Sequence, residues 1–392
     1  RCFSLLVILV MNVQSSGMPS SAYLIPYAGG DLGGANFLVW LVGHLFFDAK
    51  FMAMFSMMFG AGIVLMSERA HNAARPSVGI HYRRMGLLLA FGLIHAYGIW
   101  YGDILTFYAL CGMVVFWVRR WPARRLAIAG VLLITIGSAF HVLTGLSASA
   151  SPEMVEALRE GFGGSDEAVA HELEAYRGPW LGQLGIRASE AAGFQFFLFP
   201  FLFFWRISGL MLLGMALFKF GFLSANLGNR SYSITALIAG SIGLITVGLG
   251  AMWNLQEDFR PEHVLGFGAL PNWFGSVAVA FMWMSLVMLL CRSARLPRVK
   301  SVLADYGRMA FTNDLGQSVL ATLIFYGHGL ALFGKLNRVE QVGVVAGIWV
   351  VQLAFSTLWL RHFQFGPLEW VWRSGVYFRP QPMRKPVDRK SV

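Results

Sequence analysis

The chain has 392 residues, of which 56% are hydrophobic and 13% charged, with a formal net charge of +11 and a mean hydropathy of +0.59. A soluble domain carries about a quarter charged residues and could not hide this much apolar surface in one core. Composition therefore excludes a water-soluble protein and indicates an all-α, polytopic transmembrane helix bundle. The cationic residues cluster in short loops between apolar runs, as the positive-inside rule places them. No basic face interleaved with aromatics points to nucleic acid, so membrane lipids are the expected surroundings. Cys2, Cys111 and Cys291 show neither a disulfide framework nor metal-ligand spacing.

The first apolar run, Cys2 to Val13, would make roughly 18 Å of helix at 1.5 Å per residue. That is short of a ~30 Å hydrocarbon core, so the first helix is expected to be incomplete in this sequence. A polar loop, Gln14 to Gly34, follows. Phe37 to Phe47 is too short for a full crossing and suits an interfacial or re-entrant segment. Further spans are expected at Phe51 to Met66, Met85 to Tyr101, Ile104 to Val118 and Leu126 to Leu146.

Ser147 to Glu190 is polar and holds the densest group of acids: Glu153, Glu156, Glu160, Asp166, Glu167, Glu172 and Glu174. It reads as an excursion outside the membrane, with short surface helices near Val155 to Glu160 and Glu167 to Tyr176. Spans resume at Phe194 to Phe218, Ser233 to Trp253, Val264 to Leu290, Ala310 to Leu332 and Val342 to Leu360. The tail after Trp372 is basic and rich in proline, with Arg389, Lys390 and Pro386 near its end, and is expected to lie extended on the membrane surface. The domain division is then 1–146 (N-terminal helices), 147–190 (acidic excursion), 191–373 (C-terminal helices) and 374–392 (basic tail).

Loop charge supports about ten spans with both ends in the cytoplasm. One side holds Arg69, Arg75, Arg83 and Arg84, then Arg119, Arg120, Arg124 and Arg125, then Arg292, Arg295, Arg298 and Lys300. The other holds the acidic excursion and Glu257-Asp258, with one misfit, the slightly basic loop at Lys335 and Arg338. Basic loops face the cytoplasm. Trp100, Tyr101 and Trp253 fall at span ends and suit an aromatic belt.

A charge deep in a bilayer is costly and needs a partner or a role. Arg206 lies midway along a span and is expected to meet a carboxylate or the phosphate of an acyl carrier. His95 lies near mid-span, a candidate general base; the commoner outcome is a hydrogen-bonded core histidine. Asp103 follows eight residues later, about 12 Å away along a continuous helix, so the two would pair only if the helix breaks. Asn313 and Gln317 share a helix face, and Asp314 is a candidate partner for Arg308. Lys50, Glu68 and Arg69 resemble interfacial anchors. Glu369 and Arg373 follow the Gly366-Pro367 pair, which ends the last span.

Several segments together resemble the YeiB-like family of bacterial membrane proteins, which carries a C-terminal domain of unknown function (family 418). They are Lys50-Phe51, Phe55-Ser56-Met57-Met58-Phe59-Gly60, His95 with Gly102-Asp103-Ile104-Leu105, Gly307-Arg308-Met309-Ala310-Phe311-Thr312-Asn313, and Phe365-Gly366-Pro367-Leu368-Glu369-Trp370-Val371-Trp372-Arg373. Asp314, Gly316 and Cys2 depart from the family's pattern. The family is distantly similar to transmembrane acyltransferases, which carry an arginine and then a histidine in the first helix. Here Arg1 is followed by Asn12, and an amide cannot act as a base.

What the resemblance implies is an acyl transfer from a cytoplasmic carrier such as acyl-coenzyme A to a sugar or lipid acceptor. His95 would be the base, Arg206 a charge clamp and Asn12 a positioner. A small-solute transporter and a non-catalytic membrane component are the alternatives. One enclosed pocket reached from the cytoplasm favours the enzyme, a continuous path the transporter, and scattered polar pairs the third.

Overall fold

The structure, a computed structural model, describes residues 2–72 and 77–385. Arg1, Arg75, Pro386, Arg389 and Lys390 lie outside the described residues. In chain order the helices are α1 (Cys2–Gly17), α2 (Ala35–Phe46), α3 (Lys50–Asn72), α4 (Ser77–Gly98), α5 (Leu105–Val115), α6 (Ala123–Ala150), α7 (Pro152–Phe162), α8 (Asp166–Arg177) and α9 (Leu184–Ala192). A π-helical stretch, Gly193–Phe203, leads into α10 (Phe204–Lys219). Then come α11 (Asn229–Gln256), α12 (Pro261–Leu265), α13 (Leu270–Arg292), α14 (Pro297–Arg308), α15 (Ala310–Phe325), α16 (Arg338–His362) and α17 (Pro367–Tyr377).

Among the described residues, six helical stretches are long and apolar enough to cross a membrane: Ala35–Asn72, Ala123–Ala150, Leu184–Lys219, Asn229–Gln256, Phe267–Arg292 and Arg338–His362. Shorter apolar helices run over Phe3–Gly17 and Leu105–Val118. The short apolar run at 37–47 is thus followed directly by α3, with a break at Ala49, whose φ is 61°.

The helices are built inside out. On α11, Ile234, Leu237, Ile238, Ile242, Ile245, Leu249 and Met252 are exposed, while Gly240, Gly243, Val247, Gly250 and Ala251 face inward. Large apolar side chains outside and small residues at helix contacts are what lipid, not water, selects. The chain is a helical membrane protein.

The exception is α10, buried without interruption from Arg206 to Ala216. A helix apolar on every side belongs at the centre of a bundle. It packs against α3, α5 and α6. Gly214 presses on the backbone of Met57 and Gly60 on the backbone of Met211, while Gly130 and Gly209 meet each other's carbonyls. No side chain fits at these contacts, so the backbones touch.

The acidic excursion is helical and fastened down. Ser151 and Ser165 cap α7 and α8 by accepting from Met154 N and Ala168 N, each at 3.2 Å. Arg159 of α7 forms a two-bond ion pair with Glu262 of α12. α16 begins with a reciprocal capping box between Asn337 and Glu340.

Four expectations change. α15 ends at Phe325, because the chain turns sharply at Tyr326 instead of running to Leu332. The region after Trp372 continues as helix to Tyr377 and then folds back, Arg384 bridging to Phe363; Arg84 stacks on Trp372 and holds the segment to α4. Trp100 and Tyr101 are buried and form no lipid-facing belt, whereas Trp253 is exposed. Lys50 is wholly buried and anchors nothing at the interface.

Adding a methyl group at Gly214 or Gly60 must therefore push α3 from α10. Gly214→Ala and Gly60→Ala are expected to destabilise the protein by about 1–3 kcal/mol. Gly343→Ala, which meets open space, should leave the detergent-solubilised thermal midpoint nearly unchanged.

Candidate functional site

A cavity of about 960 Å³ lies inside the bundle. It reaches from beneath α7 and α8, at Glu160 and Glu172, inward to Leu5, Tyr108 and Asp314. Among the described residues, none in the arginine-rich segments 67–84, 119–125 and 292–308 lines it.

His95 and Asp103 meet in its wall. α4 stops at Gly98, and the amides of Ile99 and Trp100 both donate to the His95 carbonyl at 2.9 Å. The chain then doubles back through Gly102, which lies against the Trp100 ring where a side chain would collide. This reversal replaces the separation of a continuous helix by a hydrogen bond, His95 Nδ1 to Asp103 Oδ1, at 2.9 Å. Asp103 also accepts from the amides of Leu105 (3.1 Å) and Thr106 (2.8 Å) at the start of α5. Since both carboxylate oxygens accept, the neutral ring carries its proton on Nδ1 and leaves a lone pair on Nε2. Nε2 has no hydrogen-bond partner among the described residues, and His95 lines the cavity. Asp314, on α15, lines it too, within electrostatic reach of His95 and Asp103.

A second polar group sits at the α2–α3 break. Asp48 accepts from Tyr23 and, at 2.7 Å, from Asn272 Nδ2, with His44 Nδ1 3.4 Å away. Lys50 donates to Asn272 Oδ1 at 2.6 Å and to the His44 carbonyl. Tyr23, His44, Asp48 and Asn272 line the cavity. The sequence offered one signal for them, Asp48 and Lys50 interrupting an apolar run, which also marks a span end. Tyr23 and Asn272 carried no signal.

Arg206 borders the same cavity. Its expected carboxylate is replaced by the Trp273 carbonyl (2.8 Å) and Ser276 Oγ (2.7 Å), with the Trp273 ring 4.3 Å from Cζ. These partners satisfy a buried guanidinium by hydrogen bonding and cation–π attraction. Asn12 lines the cavity as well.

Comparison with known proteins places this architecture. Residues 217–379 match the family described as "Protein of unknown function (DUF418)". The chain is 32% identical to the uncharacterized protein YxaH of Bacillus subtilis (strain 168) over 359 residues, 90% of this chain and 85% of that one. It is 30% identical to the uncharacterized protein YeiB of Escherichia coli (strain K12), covering 95% of this chain and 93% of that one. The chain belongs to the DUF418 family. An uncharacterized 39.9 kDa protein of Bacillus acidopullulyticus is 26% identical, covering 88% of this chain and 85% of its own length. No solved structure matches the chain.

The DUF418 match contains five of the candidate residues, and only Asp314 among them reaches the cavity. Asn313 and Gln317 point away and close a network: Asn313 Nδ2 to Ser356 Oγ (2.9 Å), Gln317 Nε2 to Tyr306 OH (2.8 Å), Tyr306 OH to Gln352 (3.0 Å), and Gln352 to the Asn313 carbonyl (2.8 Å). This ties α14, α15 and α16 together. Arg308 pairs with Asp305 rather than Asp314. Glu369 caps α15, accepting from the amides of Phe311 (2.6 Å) and Thr312 (3.1 Å). Arg373 stacks on Phe365 at 4.2 Å.

At the cavity's outer end, Glu172 of α8 accepts from the Ser20 amide through both oxygens, at 2.9 and 3.0 Å. Burial pushes this carboxyl up to about 7 from an ordinary 4.5, against the Ser20 amide and helped by Glu190. The folded protein therefore holds a proton that the unfolded chain releases near 4.5. Glu172 favours folding most below that value, and the contribution falls as pH rises towards 7, by up to about 3 kcal/mol. Thermal midpoints of wild type and Glu172→Gln across this range should show the variant gaining on wild type as pH increases, then a constant difference above pH 7.

Proposed function

We propose that this protein is a membrane-embedded transferase in which His95 acts as general base on an acceptor hydroxyl, with an acyl thioester such as acyl-coenzyme A as donor. The observation that carries this reading is the His95–Asp103 pair: His95 lines the cavity, and its buried Nε2 has no hydrogen-bond partner among the described residues. A carboxylate bound to Nδ1 orients the ring and stabilises the imidazolium that forms when Nε2 takes the acceptor's proton. The acceptor oxygen then attacks the thioester carbonyl, and the imidazolium returns its proton to the departing thiolate. Arg206, whose Nη atoms are already engaged by Trp273 and Ser276, shapes the cavity and supplies a positive potential. Asp314 adds a negative one beside His95.

By the positive-inside rule, the arginine-rich face lies in the cytoplasm of a bacterial cell. The acceptor, a sugar or lipid hydroxyl, would then enter beneath α7 and α8 from the opposite side.

One observation favours a second reading, transport. Two segments that border the cavity are interrupted helices: the break at Ala49 and the π-helical stretch containing Pro200. Broken helices around a central site are common in transporters.

Incubating the purified full chain with acyl-coenzyme A and a panel of sugar and lipid acceptors separates the two. Transfer is expected, lowered about 10²–10⁴-fold in His95→Ala and about 10–100-fold in Asp103→Asn. Thioester turnover that is undetectable, or unaffected by His95→Ala, would sink the transferase reading; His95-independent solute flux in proteoliposomes would favour transport.

A further inference from the structure

Among the described residues, three arginines are no more than 3% exposed: Arg187, Arg206 and Arg338. Arg206 has the Trp273 carbonyl and Ser276. Arg338 has the carbonyls of Ala22 and Pro26 and the Met18 sulfur. Arg187 differs. Its Nε donates to the Tyr97 carbonyl at 2.7 Å, but Nη1 and Nη2 have no hydrogen-bond partner. None of the ion pairs among the described residues includes it. A guanidinium cannot shed its charge by losing a proton, and an uncompensated buried charge is strongly destabilising.

The groups around it have the same need. Tyr176 and Tyr326 are fully buried, with ring centroids 4.6 Å apart, and neither hydroxyl has a partner. Both interact electrostatically with Arg187. His328 Nδ1, in a ring 5.9 Å from Tyr326, is also unpartnered and within reach of the Arg187 charge. Trp180 covers the guanidinium at 5.4 Å. Nη1, Nη2 and the two hydroxyls can donate, and so can Nδ1 in one tautomer. The unpaired acceptor alongside, Gln183 Oε1, leaves donors in excess. None of Arg187, Tyr176, Tyr326 and His328 lines the central cavity.

We propose that Arg187, Tyr176, Tyr326 and His328 form a second binding site, separate from the central cavity, for one small monovalent anion of chloride size. The site takes an anion because its surplus groups are donors around a fixed positive charge, whose effect at Tyr326 exceeds that of either carboxylate, Glu172 or Glu190, that reaches both tyrosines. It takes a small one because every free donor atom is sealed from solvent. The bound ion joins α8, α9 and the turn after α15 at the point where Arg187 grips the end of α4.

The test compares thermal unfolding midpoints of the full chain in detergent in sodium chloride and in sodium gluconate at equal ionic strength. A saturable rise with chloride is expected in wild type. Tyr326→Phe, which removes one donor and keeps the charge, should weaken the apparent chloride affinity about tenfold. Arg187→Gln should abolish the chloride response. Should Arg187→Gln fail to fold, the Tyr326→Phe titration still decides. Equal midpoints in the two salts for wild type, or the same chloride response in wild type and Tyr326→Phe, would overturn the proposal.

Discussion

Contact between the backbones of α10 and its neighbours sets the geometry on which the rest depends. With Gly60, Gly214, Gly130 and Gly209 at the crossings, α10 sits close enough to α3 and α6 to be buried all round. In lipid there is no hydrophobic drive between apolar helices, so close packing and interhelical hydrogen bonds must hold the bundle. Arg206, at the start of the buried run, is held in place by α13 through Trp273 and Ser276. Among the described residues, Arg206 is the one residue of α10 that borders the cavity.

Polar groups in the interior divide by how their bonds are used. The Asn313, Gln317, Tyr306 and Gln352 network largely consumes its own hydrogen-bonding capacity and joins helices. Glu369 spends both oxygens on the start of α15. These groups are structural because little is left over for a ligand. His95 is the contrast: one nitrogen is fixed by Asp103, while the other is buried without a partner in a residue that lines the cavity. A buried polar atom without a partner is disfavoured unless something binds it; in His95 such an atom belongs to a cavity-lining residue, and in Arg187 it belongs to a permanent charge.

Much of the fold was legible in the sequence. The apolar runs located most helices to within a few residues, because in lipid hydrophobicity alone marks a span. The acidic excursion yielded two helices where short ones were expected, slightly longer than the apolar pattern suggested. Less legible were the places where the chain changes direction. Ala49 carries no turn signature, and Gly327 and Gly329 after Tyr326 were masked by the apolar run around them, yet the backbone bends at both places. Lys50 beside a span looked like an anchor because its charge was visible and its partners, His44 and Asn272, were not.

By itself the sequence determined a helical membrane protein and a short roster of buried polar residues, since each follows from the price of charge and apolar area along one chain. Only the tertiary structure decided which of these residues share a cavity. Asp103 reaches His95 because α4 ends three residues after the histidine and the chain doubles back. Asp314 faces the cavity while its neighbour Asn313 does not, because adjacent helical positions point about 100° apart. Arg206 lost its expected carboxylate because α13 passes close enough for a carbonyl and a serine to serve. Each of these depends on where a second segment lies, and no local pattern carries that information.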